Sequence, residues 1–116
     1  MLYNPNNIFA KIIRGEVNCN KVYEDNQIIA FNDIAPIAPV HILVVPKLEC
    51  RNFTDFINLA TSENIAYFFN KLSEIANLNS PAGFRMITNN GKDADQTVEH
   101  FHVHIIGGAK LKPLTH

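Results

Sequence analysis

Residues 100–106 read His-Phe-His-Val-His-Ile-Ile, and this alternation constrains the fold more than any other stretch of the chain. A period of two is the period of a β-strand, whose successive side chains leave on opposite faces. The segment predicts a strand over 100–106 with Phe101, Val103 and Ile105 turned into a core. His100, His102 and His104 then share the other face. A strand face needs no histidine to be soluble, yet three of the chain's five histidines stand here within five positions.

Short apolar runs bounded by turn residues predict four further strands, over 21–23, 27–31, 40–45 and 84–88. Glu24-Asp25-Asn26 supplies the first turn, Pro36 and Pro39 bracket a stiff loop, and Pro46 closes the third strand. Asn89-Asn90-Gly91 ends the fourth, and a polar loop runs on to Asp95. A short helix is expected over 8–14, capped by Asn6 or Asn7 and stopped by Gly15. One long helix begins at Thr61-Ser62-Glu63 and runs to about Asn77, where Ile65, Phe68, Phe69, Leu72, Ile75 and Ala76 recur every three or four residues. Strands predominate and do not alternate regularly with helices. The pattern predicts an α+β chain with a five-stranded antiparallel sheet, as a single domain over residues 1–116.

Composition excludes several classes. Ten basic against eleven acidic residues leave a net charge of −1, so no broad basic surface is available for nucleic acid. No apolar run approaches the roughly 20 residues of a membrane span. The first residues lack the basic region and apolar stretch of a secretory signal. Cys19 and Cys50 are far apart and form no Cys-x-x-Cys, which predicts two free thiols in a reducing compartment and a cytoplasmic protein.

Two chemistries suit the histidine face. In the first, a His-x-His pair joins His41 around a metal ion; all three strand histidines cannot easily converge, since neighbours on one face stand about 6.7 Å apart and the outer pair about 13 Å. In the second, a central imidazole attacks phosphorus while its neighbours touch phosphate oxygens or the leaving group. Histidine is both nucleophile and proton carrier near neutral pH. Asn89, Gln96 and Thr97 lie just upstream as neutral donors to phosphate.

These residues resemble a known family. His100-Phe101-His102-Val103-His104-Ile105-Ile106 matches the histidine triad (HIT) signature in full. Ile8-Phe9-x-x-Ile12-Ile13, Phe31-Asn32-Asp33-Ile34-Ala35-Pro36, the run from Pro39 to Lys47, the run from Phe84 to Gly91, and Gln96-Thr97-Val98 are similar to the Hint branch of that family. Gly107-Gly108 after the triad also favours that branch over Fhit-like diadenosine polyphosphate hydrolases. Two positions depart from it. Asp95 stands where the family often has glycine, placing a carboxylate near the phosphate site, and Thr97 stands where Hint proteins commonly have serine.

The resemblance implies a HIT-like fold with one long and one short helix, its sheet extended across a homodimer. It implies a hydrolase that cleaves the P–N bond of purine nucleoside 5'-phosphoramidates, with no cofactor and no metal. A dinucleoside polyphosphate hydrolase, or a nucleotide-binding regulatory or scaffold protein with incidental hydrolysis, are the other readings. By resemblance His102 is the nucleophile, His104 assists the leaving group, and His100 positions the central imidazole with His41 behind it. Asn89, Gln96 and Thr97 would hold the phosphate or leaving group. Asp33, with Asn32 beside it, would accept from the ribose hydroxyls, and Ile8, Phe9, Ile12, Phe31 and Ile34 would sandwich the purine. The tail over 109–116 is where specificity would reside.

Overall fold

A computed structural model of the protein describes residues 2–114; Thr115 and His116, at the end of the expected specificity tail, lie outside the described residues. Helix α1 (Ile8–Ile13) begins at Asn7, whose side-chain oxygen accepts from the Ala10 amide at 2.9 Å. Gly15, at φ 78°, takes the left-handed turn that ends it. The strands are β1 (Lys21–Glu24), β2 (Ile28–Asn32), β3 (Val40–Pro46), β4 (Phe84–Ile87) and β5 (Val103–Gly107). They form one five-stranded antiparallel sheet in the order β1-β2-β3-β5-β4.

Alternation along the central strands gives the sheet two apolar faces. Ile28, Ala30, Ile42, Val44, Phe101, Val103 and Ile105 pack on one face against Phe56, Phe68, Leu72, Ile75 and Ala76. The last four belong to the long helix α3 (Ser62–Asn79), which Thr61 caps through the Asn64 amide. On the other face Ile29, Phe31, Leu43 and Val45 pack with Phe9 of α1. Because α1 is short, it covers only part of that face and leaves a cleft beside it.

Two elements differ from the sequence reading. A third helix, α2 (Phe53–Leu59), precedes α3, capped by Asn52 through the Asp55 amide at 2.9 Å. Its sequence gave little signal because it makes only two turns and buries Phe56 alone, while Phe53, Ile57 and Leu59 stay exposed. The histidine strand begins at Val103 rather than His100. Its partner β3 ends at Pro46, which has no N–H to extend the ladder. The Phe101 amide turns instead to the Cys50 carbonyl at 2.9 Å, and the Thr88 hydroxyl donates to the His102 carbonyl at 2.8 Å. The alternation survives for the rest of the segment: Phe101 and Val103 are in the core, and His102 and His104 line the cleft on the other face.

Candidate active site

The uncovered part of the second sheet face is a cleft of about 480 Å³, in the range of small-molecule sites. His102 and His104 lie on one wall, α1 supplies Ile8, Phe9 and Ile12 on another, and Asn32, Asp33 and Ile34 line it at the end of β2. Asn89 and Thr97 reach in from the loop between β4 and β5. No lysine or arginine lines it. An anion here would be held by a ring N–H, an amide side chain and a hydroxyl rather than by a fixed cation.

The hydrogen bonds fix where each ring carries its proton. His102 Nδ1 is 2.7 Å from the His100 carbonyl, which can only accept, so the proton is on Nδ1 and the Nε2 lone pair is free. The Ile37 amide donates to His41 Nδ1 at 3.2 Å, which puts the His41 proton on Nε2. That N–H lies 2.9 Å from His104 Nδ1 and 3.3 Å from the Asp33 carboxylate. With its Nδ1 accepting, neutral His104 carries its proton on Nε2. Among the described residues no buried side-chain nitrogen or oxygen lacks a partner, and neither His102 Nε2 nor His104 Nε2 has one, so both open to the cleft. The cleft therefore presents one nitrogen lone pair and one N–H, on rings whose centroids are 5.1 Å apart.

Burial keeps these rings neutral. It pushes His104 down to about 4, with the neighbouring His102 and His41 rings adding to the effect. His102 is also lowered, chiefly by burial, against the opposing effect of its bond to the His100 carbonyl. An uncharged His102 is the form that can act as a nucleophile.

Each sequence-predicted residue has a definite place. Ile8, Phe9, Ile12, Phe31, Asn32, Asp33, Ile34, Asn89, Thr97, His102 and His104 line the cleft. Phe9 and Phe31 do so as the edge of the second core, with the Phe9 ring against the His102 ring at 4.8 Å. His41 stands behind His104 rather than behind His100, because β3–β5 register puts Leu43 opposite His104 and His41 on the diagonal. The His100 imidazole makes no hydrogen bond to the His102 ring, its two nitrogens being held by Tyr3 and Pro46; the His100 backbone carbonyl does.

Gln96 is not in the cleft. Its amide is consumed by the loop backbone, accepting from Gly91 at 2.8 Å and donating to Arg51 and Val98 at 2.7 and 2.9 Å. Asp95 also faces away from the cleft and adopts the left-handed conformation, φ 57°. That conformation accounts for a glycine-like position that aspartate tolerates. Val17, Asn18, Cys19, Leu43 and Val98 also line the cleft. Leu43 was legible as the residue two before Val45 on the β3 face; the loop residues 17–19 carry no chemical signal.

Asp33, His41 and His104 are the group among the described residues whose donor atoms converge enough to hold a metal ion, all within 4.8 Å of one another. The 2.9 Å between the two ring nitrogens is a hydrogen-bond length, and ring protonation satisfies both atoms without an ion.

Comparison with known proteins agrees with this architecture. The family model described as the HIT domain matches residues 14–111. An uncharacterized HIT-like protein of Rickettsia prowazekii is 53% identical over 112 residues, which cover 95% of this chain and 93% of the relative. A histidine triad protein from Clostridium difficile superposes with a TM-score of 0.83 at 38% identity, covering 97% of this chain and 98% of that one. A HIT family hydrolase from Legionella pneumophila superposes with a TM-score of 0.84 at 34% identity, covering 92% and 96%. With two histidines of the alternating triad in its cleft, and matched along nearly its whole length in sequence and in fold, this chain is a member of the HIT family.

Proposed function

We propose that the protein is a Hint-type hydrolase that cleaves the P–N bond of purine nucleoside 5'-phosphoramidates through a nucleotidyl-histidine intermediate. The observation that carries this reading is the pairing of a free His102 Nε2 lone pair with a His104 Nε2–H in one cleft. The likeness to a solved HIT family hydrolase supports hydrolysis as the reaction class.

In this reading the purine lies among Ile8, Phe9, Ile12, Phe31 and Ile34, and Asp33 and Asn32 meet the ribose. Asn89, Thr97 and His104 hold the phosphate. His102 Nε2 attacks phosphorus and the P–N bond to the leaving amine breaks. The ring becomes cationic in the adduct, and its Nδ1–H bond to the His100 carbonyl becomes charge-assisted. The amine leaves with a proton from His104. That ring is neutral in the free protein; a bound phosphate anion favours its protonation, His41 Nε2–H turning from His104 Nδ1 to the Asp33 carboxylate 3.3 Å away, so substrate brings its own general acid into being. Water then attacks phosphorus, returns a proton to His104 and releases the nucleoside monophosphate from His102.

The two cysteines are unpaired, and no helix of the described residues is long and apolar enough to cross a membrane. Both fit work in the cytoplasm. The partner we propose is a second copy. β1 and β4 are the sheet's edges; β1 is guarded by Lys21, Glu24 and an irregular register, whereas β4 offers half-exposed Met86. We assign β4 as the edge that pairs across a two-fold axis, and light scattering should give about twice 13.1 kDa. The activity is tested by assaying adenosine 5'-phosphoramidate, diadenosine tetraphosphate and AMP with one preparation, with and without EDTA. Turnover of the phosphoramidate, unaffected by EDTA, supports the assignment. Faster turnover of the tetraphosphate, or activity lost to the chelator, contradicts it.

A further inference from the structure

His100 is fully buried, and its ring takes no part in the reaction as proposed above. It is nonetheless held at both nitrogens. Nε2 is 2.7 Å from the Pro46 carbonyl, so it must carry the proton and donate. Nδ1 therefore accepts, and its donor is the Tyr3 hydroxyl at 2.6 Å, which reaches across from the start of the chain. The Tyr3 ring also meets the imidazole edge-on, with centroids 5.5 Å apart. The Tyr3 oxygen in turn accepts from the Asn7 side-chain amide at 3.0 Å, and the other atom of that amide caps α1.

The peptide that follows His100 is the one on which the nucleophile rests. Its N–H, from Phe101, is pinned to the Cys50 carbonyl, and its C=O receives His102 Nδ1–H. The ring of residue 100 is the third anchor of that peptide. We propose that Tyr3 is a positioning residue: by holding the His100 ring at Nδ1, opposite the Pro46 carbonyl, it fixes the backbone carbonyl that holds the His102 proton on Nδ1 and keeps Nε2 free. Asn7 links the same device to α1, the purine-facing wall, so one chain of bonds ties the wall of the cleft to its nucleophile.

This inference rests on the phosphoramidase reading for its kinetic readout but not for its spectroscopic one. The test is Tyr3→Phe, which keeps the ring contact and removes only the hydroxyl. Nitrogen-15 NMR of the imidazoles should show wild-type His102 predominantly as the Nδ1–H tautomer and a measurable shift toward Nε2–H in Tyr3→Phe. With a phosphoramidate substrate, kcat should fall about tenfold while KM changes little, as for loss of a group that orients a reacting residue. If the variant merely melts earlier, with His102 shifts and kcat unchanged, Tyr3 is a structural staple and the proposal is overturned. If wild-type protein shows no phosphoramidase activity, the tautomer measurement alone decides, and the proposed activity fails separately.

Discussion

His41 and His104 share one proton position: the Nε2 of the first lies 2.9 Å from the Nδ1 of the second. Because the Ile37 amide already occupies His41 Nδ1, the direction of this bond is set, and His104 is left presenting N–H to the cleft. His41→Ala should therefore weaken catalysis in a way that depends on the leaving group. A basic amine needs a proton and should lose about 10²-fold or more. A leaving group that departs as a stable anion, such as 4-nitrophenolate, should lose much less. Equal losses for both would place His41 outside the proton path.

Ile34 separates binding from stability. It is 100% exposed yet lines the cleft, so nothing in the fold depends on it. Ile34→Ala should leave the melting temperature unchanged within error. If the side chain covers a purine, nucleotide affinity should fall by about 1–2 kcal/mol. Calorimetric titration with AMP checks this, and unchanged affinity would remove Ile34 from the purine site.

Acid should unfold the protein earlier than its carboxylates alone require. Burial pushes His100 down to about 4, whereas an unfolded histidine titrates near 6.5. Between these values the unfolded chain binds a proton that the folded chain refuses, so stability is intact above about pH 6.5 and falls as pH drops. His100 alone should cost about 3 kcal/mol by pH 4. His104, also lowered to about 4, adds in the same direction but less, being only partly buried. For Asp25, burial works upward, but bonds from Tyr67, Tyr23 and the Gln27 and Ile28 amides outweigh it and hold the group near 2, so its contribution is lost only below about pH 4. Urea midpoints at pH 7.0, 5.5 and 4.5 should decline steadily; a flat profile over that interval would contradict the buried neutral state of these rings.

Gly107 closes the triad strand against the end of α3. A Cβ there would sit 2.2 Å from Ser80 Oγ and 3.0 Å from the Gly83 carbonyl. Ser80 cannot move freely, since its hydroxyl donates to Gly83 and accepts from Gly108. Gly107→Ala should destabilise by about 1–3 kcal/mol. Adding Ser80→Ala should recover part of that loss, so the double variant is less destabilised than the sum of the two. Strict additivity in denaturant unfolding would mean that the crowding is relieved elsewhere.

The period-two signal of Phe101, Val103 and Ile105 disclosed the sheet and its polar face, and helical spacing disclosed α3, because both patterns report long buried stripes. Helix α2 was invisible since one buried side chain makes no stripe. The cleft residues carrying chemistry were legible as types. What each touches was not. Gln96 looks like a phosphate ligand until Gly91, Arg51 and Val98 are seen to claim its amide, and Tyr3 and His100 are 97 positions apart in the chain. The start of β5 at Val103 is not legible in its own residues, because the limit lies on its partner, where Pro46 of β3 has no N–H to offer the residues before Val103.

The central claim is that His102 Nε2 forms a covalent bond to phosphorus. Single-turnover rapid-quench experiments with a phosphorus-labelled adenosine phosphoramidate test it directly. Label should appear on the wild-type protein within the first turnover, map to His102 by mass spectrometry, and decay as AMP is released. His102→Ala should show no adduct and lose several orders of magnitude in rate, while AMP binding persists. An adduct on His100 or His104, or wild-type rates from His102→Ala, would contradict the account.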